Sequence, residues 1–91
     1  MKYKIVPSGR FKRDLRNARK RGYDLDLLDA VVNTLAAGEP LEPKYKDHSL
    51  NGKYKSCREC HITADWLLIY EIVDDELILY LTRTGTHSDV F

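Results

Sequence analysis

Three histidines, an aspartate and an arginine in the C-terminal half are the residues whose types could do chemistry together: His48, His61, Asp65, Arg83 and His87. Histidine is the side chain whose unperturbed pKa lies near neutrality, so histidines joined by a carboxylate can take and give protons at cellular pH. Cutting RNA without a metal asks for such a set: a base for the 2′-hydroxyl proton, a cation beside the phosphorane and an acid for the 5′-oxygen. Arg83 follows an apolar run and offers a planar fork of donors to phosphate, the alternative being a salt bridge to Asp65 or Glu71. Trp66 and Phe91 could stack on bases, although Trp66 opens an apolar run and suits a core equally well. Against this stands a non-catalytic module that holds RNA or a partner protein and whose histidines are incidental.

The elements that must position these residues are few, because 91 residues support one hydrophobic core and hence a single domain, 1–91. Lys2 to Val6 alternates like a short strand that Pro7 ends or places at an edge. Ser8 can cap a helix whose apolar stripe is Phe11, Leu15 and Ala18 and whose stop is Gly22. Asp24 can cap a second, with Leu28, Val31, Val32, Leu35 and Ala36 on one side until Gly38. Beyond Pro40 and Pro43, β-favouring residues fill Tyr54 to Ile62, Trp66 to Val73 and Leu77 to Thr84, joined by short polar turns at Thr63-Ala64-Asp65 and Asp74-Asp75-Glu76. The expectation is an α+β fold of order β-α-α-β-β-β, with a helical hairpin on one face of a twisted antiparallel sheet and the other face open to a ligand.

A net charge of +1 hides segregation: residues 1–23 carry nine basic side chains and one acidic, 24–43 none and five, 44–58 five and one, 59–91 one and seven. Basic blocks can follow a phosphate backbone without reading sequence, which makes Lys46, Lys53 and Lys55 candidate RNA contacts. The longest apolar run is far too short for a membrane span, and the N-terminus lacks the apolar stretch of a secretory signal, so a cytoplasmic chain with no membrane partner is expected.

Cys57-Arg-Glu-Cys60-His61 literally satisfies the attachment signature of c-type haem. The strand-like setting, the missing export signal and the lack of any methionine besides Met1 speak against haem. Zinc on the two cysteines would need two more ligands, such as His48 or His87 closing the site in space. Two reduced thiols, with no metal and no cofactor, are the preferred reading.

Three stretches, Tyr45-Lys-Asp-His48-x-Leu-x-Gly52, Arg58-x-x-His61-x-x-x-Asp65-Trp66-x-Leu-Ile-Tyr70 and Arg83-Thr-Gly-Thr-His87-x-x-x-Phe91, closely resemble the YafQ toxins of the RelE superfamily. The resemblance spans nearly the whole chain. It implies an endoribonuclease of a type II toxin-antitoxin system that cuts mRNA in the ribosomal A site and is neutralised by a cognate antitoxin. It further implies that Arg83 meets phosphate, His87 is the general acid, Asp65 with His61 or His48 forms the base side, and Phe91 is the family's C-terminal aromatic. Cys57 and Cys60 are not part of the family pattern.

Overall fold

In a computed structural model describing residues 2–91, the chain runs β1 (Lys4–Pro7), α1 (Gly9–Lys20), α2 (Leu25–Ala36), β2 (His48–Ser49), β3 (Arg58–Thr63), β4 (Trp66–Val73), β5 (Ile78–Gly85) and α3 (His87–Val90). The helix signals act as written. Ser8 Oγ accepts from the Phe11 amide at 2.9 Å and the Asp24 carboxylate accepts from the Asp26 amide at 3.1 Å, so each helix starts on a side-chain cap. The stripes from both helices, Phe11 and Ala18 with Leu28, Val31, Val32, Leu35 and Ala36, bury against Cys60, Ile62, Trp66, Leu68, Tyr70, Leu79 and Leu81 of the sheet. No helix among the described residues is long and apolar enough to cross a membrane.

The sheet order is β1-β5-β4-β3-β2. Strands β3, β4 and β5 form the expected antiparallel meander, but β1 lies parallel to β5, so the sheet is mixed. Local turns dictate the meander, whereas β1 reaches β5 only across the helical hairpin, the long crossover that parallel pairing requires. The segment from Tyr54 is also not all strand: Gly52–Tyr54 is a 3-10 turn and β3 begins at Arg58. Tyr54 leaves the strand because its ring packs with Cys57, Leu67, Ile69 and Val90 on the sheet face away from the hairpin, where its hydroxyl donates to the Val90 carbonyl at 2.7 Å.

That second face carries the chemistry-bearing residues. Directly paired residues of an antiparallel sheet share a face, so the registers make two rows across it: His48, Glu59, Ile69 and Arg83, and His61, Leu67 and Gly85.

Candidate active site

One end of the face holds two of the histidines around a carboxylate that the sequence reading passed over. Glu59, only 6% exposed, places Oε1 3.3 Å from His48 Nε2 and 3.7 Å from His61 Nε2. The signal for it was the strand period, which sets Glu59 and His61 on one side of β3. His48 Nδ1 lies 2.8 Å from the Lys46 carbonyl, which only accepts, so Nδ1 carries a hydrogen and Nε2 is the atom turned to Glu59. The segment before His48 is pinned as well: Asp47 accepts from Tyr70 Oη at 2.5 Å and from Arg58 Nε at 3.1 Å. The other oxygen, Glu59 Oε2, is buried without a hydrogen-bond partner.

Arg83 stands two strands from Glu59, roughly 10 Å by ordinary strand spacing. It pairs neither with Asp65 nor with Glu71. Its Nε donates to Asp14 Oδ2 at 2.7 Å and its Nη2 donates to Asp14 Oδ1 and to the Asp89 carbonyl, each at 3.2 Å. Both side chains of this pair are about nine-tenths buried. Of five guanidinium hydrogens three are engaged, which leaves the Nη1 edge for another acceptor. Asp14 also accepts from the Thr84 amide at 3.1 Å, and Thr84 Oγ1 in turn accepts from Trp66 Nε1 at 2.8 Å. Trp66 is therefore a core residue, 3% exposed and 4.8 Å from Tyr23 between ring centroids, and the base-stacking assignment does not hold for it.

His87 on α3 and Phe91 just past its end flank the face, both exposed, with ring centroids 4.7 Å apart and nearly perpendicular; the Phe91 and Tyr54 rings are also nearly perpendicular, at 5.5 Å. Thr86 and Asp89 close a capping box on this one-turn helix. Asp89 also accepts from Arg21 at 2.5 Å, and Arg21 together with the Thr86 amide holds the Asp89 carboxyl well below the usual carboxylate range. Gly85, at φ +154°, makes room for this: a Cβ there would stand 2.8 Å from Asp89 Oδ2 and 2.9 Å from Asp89 Cβ. Gly85→Ala is expected to cost about 1–3 kcal/mol in strain and to displace α3. Thermal melting and the NMR signals of the His87 ring check both, and a variant with wild-type melting and unmoved signals would contradict the account.

The family described as the bacterial toxin of type II toxin-antitoxin systems, YafQ, matches residues 3–91. The chain belongs to this YafQ family. The mRNA interferase toxin YafQ of Escherichia coli (strain K12) is 39% identical over 88 residues, 96% of this chain and 94% of that one. A metal-bound toxin from Helicobacter pylori, solved by crystallography, is 48% identical with a TM-score of 0.92, covering 98% and 99% of the two chains. YafQ in the E. coli DinJ-YafQ complex is 38% identical with a TM-score of 0.89, covering 98% of each.

Within this YafQ fold the expected residues do not form one cluster. His48 and His61 meet around Glu59, and His87 stands with Phe91 two strands away. Asp65, exposed on the β3–β4 turn, lines a groove with Tyr23, Asp24 and Leu27 of the hairpin and makes no ion pair or side-chain hydrogen bond to either group. Lys46, Lys53 and Lys55 are exposed; Lys46 adopts φ +50° to present its carbonyl to His48, and Lys53 Nζ sits 5.1 Å from the Tyr54 ring centroid. The haem-like string is split by the sheet: Cys60 belongs to the hairpin-side core and Cys57 to the cluster on the other face. Both are free, and burial pushes the Cys60 thiol up to about 12.

Proposed function

We propose that the chain is an mRNA endoribonuclease toxin that works inside the ribosome in the cytoplasm and is held inactive by a cognate antitoxin. Its relatives named mRNA interferase toxin and the E. coli complex with DinJ support the activity and the partner. The observation that carries the mechanism is the placing of two unlike groups at opposite ends of one sheet face, with the apolar floor of Leu67 and Ile69 between them. In-line displacement at phosphorus needs a base on one side and an acid on the other.

On this reading the His48–Glu59–His61 group takes the proton of the RNA 2′-hydroxyl as its oxygen attacks phosphorus. The P–O5′ bond breaks, and His87 supplies the proton to the departing 5′-oxygen. The products are a 2′,3′-cyclic phosphate and a 5′-hydroxyl. The free Nη1 edge of Arg83 holds the non-bridging oxygens where charge accumulates. Phe91, ordered against His87 and Tyr54, offers a ring face to a base. The orphaned Glu59 Oε2 supports the base assignment, because unsatisfied buried acceptors persist where function, not stability, holds them. Asp65 is left outside the reacting groups.

The ribosome would supply what so small a face lacks: mRNA bent into attack geometry. Primer extension on mRNA in programmed ribosomes tests the proposal. New ends bearing 5′-hydroxyls are expected with ribosomes and few on free RNA; their absence overturns it. Among the described residues no three His, Cys, Asp or Glu side chains are grouped so as to hold a metal ion, but one relative was solved metal-bound, so the metal-free step is tested directly. A chelator that strips zinc and copper while sparing magnesium is expected to leave cutting intact, and loss of cutting would overturn the metal-free step.

A further inference from the structure

Beyond Arg83 the reactive face continues into a groove of about 580 Å3 between the start of α1 and the Gly52–Tyr54 turn. Arg10, Arg13, Lys53 and Arg83 line it, and none of its lining residues is acidic. Arg10 and Arg13 are exposed and enter no ion pair among the described residues. Arg21, just past the end of α1, shows the contrast, because it is tied to Asp89. Like charges gathered around one volume repel; Asp14 offsets Arg83, but no ion pair among the described residues offsets Arg10, Arg13 or Lys53. The helix adds to the field: α1 has twelve residues, and the amides of Gly9 and Arg10, both at the groove, have no acceptor within the helix.

We propose that this groove seats a second phosphodiester of the same single-stranded RNA whose scissile phosphate meets Arg83, with Arg10 and Arg13 as its ligands. The inference rests on the reading of Arg83 given above. Continuity with Arg83 favours the bound mRNA over ribosomal RNA as the source of the phosphate. Two fixed phosphates define the register of the strand, and so which 2′-hydroxyl reaches the base group.

The test uses the full chain and a short RNA made uncleavable by one 2′-deoxy nucleotide at the mapped cut, with binding followed by fluorescence anisotropy. Arg10→Gln/Arg13→Gln is expected to melt like wild type, to bind roughly tenfold more weakly at low salt, and to show a slope of log affinity against log salt shallower by about 0.7. A neutral methylphosphonate at one linkage beside the cut should weaken wild type similarly and add nothing to the double variant. Equal losses for both proteins wherever the methylphosphonate is placed, or no binding by wild type at low salt, overturn the proposal. So does a variant that keeps its RNA affinity but loses affinity for empty ribosomes, which would assign the groove to ribosomal RNA. Failure of wild type to cut would strike at the endonuclease reading alone, since this RNA is never cut.

Discussion

Arg83→Ala is expected to abolish mRNA cutting and to destabilise the protein at the same time. The first effect, at least roughly a hundredfold, follows from losing the cation at the centre of the reactive face. The second, about 3 kcal/mol, follows from leaving Asp14 buried without its partner, both side chains of the pair being about nine-tenths buried. The sequence offered Asp65 or Glu71 as salt-bridge partners for Arg83, whereas the ion pair it makes runs to Asp14 of α1 and ties the site to the fold. The two effects separate in Asp14→Ala/Arg83→Ala, which should recover most of the lost stability in a denaturant titration while remaining inactive in programmed ribosomes. A folded Arg83→Ala that cuts at the wild-type rate would remove Arg83 from the site.

His87→Ala should behave in the opposite manner, losing about 10²–10⁴ in rate with little change in stability. His87 is exposed, and its ring stands nearly perpendicular to that of the exposed Phe91. If its task is to protonate the departing 5′-oxygen, a substrate carrying sulfur at that bridging position should cut almost equally well with either protein, because a thiolate leaves without a proton. A defect that persists with the sulfur substrate would mean that His87 acts elsewhere in the reaction.

The helical hairpin was legible because both helices write a 3.6-residue stripe and begin on capping residues. The meander was legible because its turns are local and polar. The parallel pairing of β1 with β5 was not, since no local pattern records which distant strand a β-strand meets. At the site, Trp66 follows from the period of β4, which sets it with Leu68 and Tyr70 on the hairpin side. The partner of Arg83 left a fainter trace: Asp14 is the lone acid in the first basic block, an isolated charge that hydrophobic patterning does not weigh. Glu59 was legible only through the period of β3, where its place two residues before His61 puts both on one face, because a glutamate in a strand is ordinarily a solvated position. Thr86 and Asp89 carry the spacing of a capping box, yet one turn of helix is too short for periodicity to reveal.

The bidentate grip of Asp14 on Arg83 has a consequence for turnover. A free arginine at a surface would surrender about 2 kcal/mol of rotamer entropy each time it clasped a phosphate, and would shed water at that moment. Here the side chain is already immobile and largely dehydrated before any RNA arrives. Those costs are borne once, when the chain folds, and each substrate meets a cation whose geometry is settled beforehand.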